Sequence, residues 1–424
     1  MNLAAQIEAH ARAPQFRINP SLVQMRRVLS ANPVLNLQAP TIIIGGTNGK
    51  GTTAGYLFTL LHKHLKLKVG LYTSPHLHHF HERIQLSHVA VNDELLAQHW
   101  RALVATTATE SALSFFEWAT LLAFYTFNTH ATDINILEVG LGGKWDATNI
   151  VNPIAAVLVS LGQDHQRLLG NTYREILADK IAITRRQRPL FWGNQGSGAN
   201  DPMVKALIQQ VVAEKNIQLY RFGVDFFLRA TGVYQQDMRI ITLPASVVSA
   251  PPFLQNNFCL AAAVWHWYRS NYSQPKNYEH CPVVDTTNYL PTTIVGRCQH
   301  LRLAGREVIT DVCHNIDGAL MFSSYLRQRQ RKLTGFVCLL ADKDIAEILA
   351  ILATCLQPLY FFSLSNIRAA AQAQLPKGFQ RNFYADFNRA WQAANPTGTV
   401  VICGSFYGLD AALTYLRNGK AELP

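Results

Sequence analysis

The residues best suited to chemistry stand at the ends of short apolar runs. TIIIGGTNGKGTTAGYLFTLLHKHL passes from a buried-strand pattern through a glycine-rich turn into an amphipathic helix pattern. Gly45, Gly46, Gly49 and Gly51 allow backbone N–H groups to close around an anion, and a helix N-terminus adds positive potential. Lys50 can reach the β- and γ-phosphates of a nucleotide, and the Thr52 hydroxyl can face Mg2+. The strict G-x-x-x-x-G-K-[ST] pattern is not met: Ile44 occupies its first glycine position and Gly51 separates Lys50 from Thr52. Ser74 closes the next apolar run with a hydroxyl, and Asp164 and His165 follow AAVLVSL. Glu138, in INILEVG, can offer a hard oxygen to Mg2+ or cap the turn that follows. Histidine is an uncommon Mg2+ ligand, so on chemistry alone His165 reads as a hydrogen-bonding residue. Lys180, in LADKIAI, reads by default as a solvated lysine on a helix. HLHHFHE, with His76, His78, His79 and His81, invites a metal reading, but its spacing matches no standard zinc motif and no nearby acid completes a set.

These residues need elements to hold them. Short runs rich in Ile, Leu and Val alternate with longer helical patterns, the signature of parallel strands buried on both faces and joined by crossover helices. The fold class is α/β. Strands are expected at 41–46, 68–73, 134–140, 155–161 and 188–193, then in a second, smaller series at 306–312, 335–341, 358–364 and 399–405. In such sheets ligands sit at the carboxyl ends of strands, where the residues above fall. A linker is expected at about 270–293, rich in Pro, Asn, Tyr and Thr.

Composition excludes several classes. The 424 residues suit two or three domains, and 49% hydrophobic against 15% charged residues exclude a disordered polyelectrolyte. A net charge of +11 favours anionic ligands without choosing among nucleic acid, membrane surface, nucleotide and acidic metabolite. Seven scattered cysteines without C-x-x-C spacing argue for reduced thiols. Glu8, Arg12 and Arg17 interrupt any signal-peptide core, and the apolar runs fall short of the ~20 residues of a membrane span. A cytoplasmic protein without a membrane partner is expected. A nucleic-acid binder should show a basic stripe interleaved with aromatics; only RQRQRK (327–332) is basic, and it reads as a solvated helix end.

Taken together, GTNGKGTT (46–53), SPHLHHFHERI (74–84), SFFEWATLLAF (114–124), ILEVGLGGKWDATNIV (136–151), DHQRLLGNT (164–172), VGRCQ (295–299) and DVCHNIDGA (311–319) resemble the Mur ligase superfamily, and within it the dihydrofolate synthase/folylpolyglutamate synthase family. The first motif alone indicates the superfamily; SPHL, FFE and LEVGLGG with DATN favour the folate branch over cell-wall ligases. The resemblance implies a P-loop-type Mur ligase domain with a mostly parallel sheet over 1–287 and a Rossmann-like α/β domain over 288–424. It implies that Gly49, Lys50, Gly51, Thr52, Asn257, Arg297 and Asp311 contact ATP, with His314 near the phosphoryl region. Thr52, Ser74, Glu138, His165 and Lys180 match metal-site positions for two Mg2+ ions, Lys180 as an N6-carboxylated lysine, and Lys50, Lys180 and His314 carry the catalysis. Asp179–Ile183 reads Asp-Lys-Ile-Ala-Ile where the family has Glu-Lys-Ala-Gly-Ile. The pterin side matches Ile18, Asn19, Pro20, Thr73, Phe115, Phe116, Glu117, Trp145, Asp146 and Ala147; Asn19 stands where the family often has Asp. The implied activity is ATP-dependent joining of L-glutamate to dihydropteroate and to folates through an acyl phosphate, by an enzyme expected to act as a monomer. A Mur-type ligase acting on a muropeptide is the rival enzyme reading.

Overall fold

The computed structural model describes residues 2–11, 21–107, 112–272, 296–329, 333–365 and 368–418. The chain divides into two compact units, Met1–Thr292 and Thr293–Pro424.

In the first unit β1 (Thr41–Gly45), β2 (Val69–Tyr72), β3 (Ile84–Leu86), β4 (Ile134–Glu138), β5 (Ala155–Leu158), β6 (Leu190–Trp192) and β7 (Leu219–Arg221) form one sheet in the order β3-β2-β4-β1-β5-β6-β7. Only β3 runs antiparallel, against β2. Every residue of β1 and β4 is buried, as strands covered on both faces require. Ile42 and Ile44 pack under the Lys50–Leu65 and Pro252–Tyr272 helices. Ile43, one residue out of phase, packs with the Tyr173–Lys180 and Pro202–Lys215 helices on the opposite face. Tyr72 and Leu137 join the core of the Asp93–Thr106 and Phe115–Thr129 helices. β1 lies between β4 and β5, so the turns leaving these three strands share one sheet end.

A small antiparallel sheet, β8 (Phe226–Arg229), β9 (Gly232–Gln235) and β10 (Met238–Thr242), follows. Its Phe226, Val233, Ile240 and Ile241 extend the core beneath the Pro252–Tyr272 helix. That helix continues through Tyr272, so the first three residues of the expected linker are helical; the rest of the linker lies outside the described residues.

In the second unit β11 (Gln299–Leu303), β12 (Arg306–Asp311), β13 (Thr334–Val337), β14 (Leu359–Phe362), β15 (Phe383–Tyr384) and β16 (Val400–Cys403) form a sheet in the order β11-β12-β16-β13-β14-β15. All pairs but β11–β12 are parallel. Among the described residues no helix is long and apolar enough to cross a membrane.

Candidate active site

β1 ends at Gly45, and the chain turns through Gly46 and Gly49, at φ 136° and 83°, into the Lys50–Leu65 helix. The left-handed backbone at Gly49 is open to glycine at little cost, and close packing adds a second demand: a Cβ there would stand 2.7 Å from Asn257 Oδ1 and 3.0 Å from Val159. The turn is braced by the residues that follow β5. The Ser160 carbonyl accepts from Thr47 N–H at 3.0 Å, the Ser160 hydroxyl from Asn48 N–H at 2.8 Å, and Thr47 Oγ1 accepts from Gly162 N–H at 3.0 Å. Lys50 Nζ curls back and donates to the carbonyls of Gly46 and Thr47 at 3.1 and 3.2 Å. The result is a held anion cradle: a helix N-terminus whose first N–H groups lack an i−4 carbonyl, with an ammonium beside it.

Glu138 ends β4, beside Ile44 of β1. Its carboxylate is buried, accepts from Ser74 N–H at 3.0 Å and lies 3.2 Å from where a Gly51 Cβ would stand. A buried carboxylate against the first helical turn is a hard-oxygen donor of the kind Mg2+ prefers, and the hydroxyl-bearing Ser74 and Thr52 adjoin it in the chain. The residues therefore fit the metal.

Lys180 is not the solvated lysine that its helical context suggests. It ends the Tyr173–Lys180 helix and is buried, and its Nζ donates to Gly46 O at 3.2 Å, the carbonyl that Lys50 also uses. Burial first, and then the Lys50 ammonium, lower its pKa to about 7. Asp164 approaches closely enough to oppose that shift. His165 holds a left-handed backbone, φ 54°, with its N–H on Asp164 Oδ1 at 2.9 Å and its Nε2 3.7 Å from Asp164 Oδ2.

The residues assigned to the pterin side gather around β2 and β4. Thr73 Oγ1 donates to Glu82 O at 3.4 Å. Ser114 caps the Phe115–Thr129 helix, and Glu117 completes the capping box, its Oε2 accepting from Ser114 N–H at 2.8 Å and Oγ at 2.7 Å. Asp146 is likewise committed: Oδ2 accepts from the N–H groups of Gly140 and Leu141, and Oδ1 from Thr148 N–H and Oγ1. Both carboxyls are buried, and burial raises both pKa values. Phe115 and Ala147 are buried in the core; Phe116 faces Tyr72 at 5.9 Å; Trp145 is exposed, with Lys144 Nζ 4.9 Å from its ring centroid. Ile18, Asn19 and Pro20 lie outside the described residues.

In the second unit Asp311 ends β12, buried, accepting from Cys298 N–H at 2.8 Å. Burial pushes its pKa up to about 6 although the Arg297 charge opposes this. The Arg297 guanidinium lies 5.3 Å from the Phe406 ring centroid, and His314 Nδ1 is 2.8 Å from Val312 O.

No protein-family model matches the chain. The dihydrofolate synthase/folylpolyglutamate synthase of Escherichia coli is 30% identical over 372 residues, covering 86% of this chain and 83% of that one. The protein of that description from Haemophilus influenzae is 30% identical over 383 residues, covering 84% and 82%. The chain belongs to the dihydrofolate synthase/folylpolyglutamate synthase family. The solved E. coli FolC in complex with DHPP and ADP matches with a TM-score of 0.80 at 27% identity, covering 99% of both chains. A bifunctional folylpolyglutamate synthase/dihydrofolate synthase with Mn, AMPPNP and L-glutamate bound matches with 0.80 at 28%, covering 98% of both.

For a dihydrofolate synthase/folylpolyglutamate synthase the sequence reading overlooked two supports. Ser160, the last polar residue of an apolar run, braces the phosphate loop, and polarity at a strand tip was its signal. Asp179 is the second: a Cβ on Gly142 would stand 2.3 Å from its Oδ1, so it backs the LGGKWDATN turn. The described part of the basic run stands at a helix end with Arg327 and Gln328 exposed, as expected, and makes local contacts there. Arg327 donates to Ser323 and Thr354, and Arg329 to Glu307 and Tyr325. The histidine stretch needs a firmer correction. Asp93, twelve residues after His81, stands 2.9 Å from His81 Nδ1, so an acid does complete a set. The histidines lie in the turn between antiparallel β2 and β3, and the helix that follows β3 starts back beside them, which linear spacing does not show.

Proposed function

We propose that this protein is an ATP-dependent ligase that adds L-glutamate to dihydropteroate, forming dihydrofolate, and adds further glutamates to tetrahydrofolates. The observation that carries this is the meeting of Lys50 and Lys180 on the Gly46 carbonyl, with Glu138 against the first turn of the same loop, in a chain of this family. We assign 1–287 as the ATP- and pterin-binding Mur ligase-like domain and 288–424 as the C-terminal α/β ligase domain. The reaction runs in the cytoplasm, consistent with six free thiols among the described residues.

The pterin-bearing carboxylate attacks the γ-phosphorus of ATP and ADP leaves. The glutamate amine then attacks the acyl carbonyl, phosphate departs, and the amine loses a proton. Gly49, Gly51 and Thr52 present the first helical turn to the phosphates. Lys50 neutralises charge that grows on the transferring phosphoryl oxygens. Thr52, Ser74, Glu138, His165 and Lys180 would hold Mg2+, which when bound would supply further charge neutralisation there. Lys180 serves as N6-carboxylysine: with a pKa near 7, much of its amine is uncharged at neutral pH, adds CO2 and releases a proton. Its oxygen donors then replace a cation next to Lys50 with an anion. Asn257, Arg297 and Asp311 contact the nucleotide, and His314 the phosphoryl region. Trp145 and Phe116 offer flat faces for the pterin, with Phe115, Ala147, Thr73, Asp146 and Glu117 shaping their surroundings and residues 18–20 contributing from the early segment.

The deciding experiment is phosphate release by purified protein with ATP, Mg2+ and L-glutamate, using dihydropteroate and tetrahydrofolate in separate reactions. Turnover with both supports two activities, and turnover with neither rejects the reading.

A further inference from the structure

We propose that His79, His81 and Asp93 form a transition-metal site, taking Zn2+ or a neighbouring first-row divalent ion, separate from the phosphate-loop Mg2+ residues. Among the described residues this is the single group of three His, Cys, Asp or Glu donors whose ligand atoms all lie within 4.8 Å of one another.

The turn that carries the histidines is built rigidly. Glu82 accepts from the N–H groups of Leu77, His78 and His79 at 2.6, 2.9 and 2.8 Å, fixing the backbone into the short 3-10 helix Phe80–Arg83. Glu82 is thereby spent on structure. His79 and His81, two residues apart, emerge on the same side with rings stacked 8° from parallel and centroids 5.2 Å apart. Asp93 approaches from the first turn of the Asp93–Thr106 helix, whose start is set by Asn92 accepting from Leu95 N–H at 2.8 Å. Asp93 Oδ1 accepts from His81 N–H at 3.3 Å and lies 2.9 Å from His81 Nδ1, while Oδ2 is 4.0 Å from His79 Nδ1.

Donors bound tetrahedrally at about 2.0–2.2 Å stand roughly 3.4 Å apart. The two carboxylate-to-imidazole spacings bracket that value, and all three ligand atoms lie within 4.8 Å of one another. His79 has the freedom to rotate, its side chain being 64% exposed, against 32% for His81 and 44% for Asp93. Partial exposure lets an ion enter with water in its remaining position. Two imidazoles and one carboxylate favour Zn2+, Co2+, Ni2+ or Cu2+ over Mg2+, which prefers oxygen donors. The bound ion ties the 79–83 turn to the Asp93–Thr106 helix, and so steadies the loop that begins at Thr73 and Ser74.

The test uses full-length protein stripped with a chelator and then held in excess Mg2+. Zn2+ binding is measured by calorimetry and Co2+ binding by visible absorption. One Zn2+ per chain is expected, with a higher unfolding temperature. His79→Ala and Asp93→Asn should each weaken binding by more than about tenfold, and His79→Ala/His81→Ala should abolish it. Glu138→Gln should leave it unchanged. Because His79 is the most exposed donor, its single variant keeps the test valid if the double variant misfolds. Unchanged Zn2+ affinity in His79→Ala and Asp93→Asn, or loss of the site in Glu138→Gln alone, overturns the proposal.

Discussion

Two lysines on one carbonyl oxygen make an unusual arrangement at the residue scale. Lys50 and Lys180 repel one another, and Lys180 is buried, so it holds its proton weakly. Carboxylation of Lys180, as proposed above, would convert that repulsion to attraction. Depleting CO2 from the assay should lower activity, and bicarbonate should restore it; Lys180→Ala should lose roughly a hundredfold or more in kcat and gain nothing from bicarbonate. Lys50→Ala should lose about as much, because it removes the ammonium beside the helix N-terminus that would meet the phosphates. Glu138→Gln keeps the shape and removes the charge, so the Mg2+ concentration for half-maximal rate should rise while the unfolding temperature holds. Near-normal amide synthesis by Lys50→Ala, followed by phosphate release, would remove it from the mechanism.

At the scale of elements, the carboxylates that resemblance assigns to the pterin are also the ones that shape its walls. Glu117 closes the capping box that presents Phe115 and Phe116, and Asp146 ties four donors of the turn around Trp145. Ser114→Ala should cost about 1–2 kcal/mol of stability, through the lost cap and a buried Glu117 deprived of a donor, and should raise the KM for dihydropteroate more than that for ATP. Gly49→Ala should lose ATP binding and about 1–3 kcal/mol, since the left-handed backbone and the Asn257 contact both resist a methyl. Denaturant midpoints and nucleotide titrations check both. The strands that position these residues were legible because β1, β4, β5 and β16 are short, mostly apolar runs buried throughout and β12 is buried from Val308 to Asp311. The phosphate loop was legible from its glycines. The half-exposed β8–β10 strands lack an apolar run, so they were not. Nor could linear spacing show Asp93 beside His81, or Lys180 turned inward, because both depend on how one helix packs.

For the whole molecule, acid should act unequally on the two units. His64 and His266 lie on the paired Lys50–Leu65 and Pro252–Tyr272 helices of the first unit. Burial, then Lys66 and Lys63, lower His64 to about 4, and burial with Arg269 lowers His266. A folded-state pKa below the unfolded value of about 6.5 gives stability that is full above that pH and lost as pH falls toward the folded value. Acidification from pH 7 to 5 should therefore cost the first unit about 1 kcal/mol through His64, after allowance for partial exposure, and His266 acts in the same direction. Asp311 acts in the opposite sense in the second unit. Its raised pKa, about 6, gives a contribution present at low pH and lost as pH rises through that value. Melts followed by tryptophan fluorescence, to which the first unit contributes six of the seven tryptophans, should shift down at pH 5, and His64→Gln should flatten the shift; pH-independent melts would refute this.

The packing of Gly49 against Asn257 also bears on synthesis. The loop leaves the ribosome early, yet its back wall is the Pro252–Tyr272 helix, made only when most of the first unit has been translated. A nascent chain or a proteolytic fragment ending before Asn257 carries every residue of the glycine motif without the surface that holds its shape. Nucleotide affinity should therefore appear abruptly with chain length, so truncated translation products would not sequester ATP.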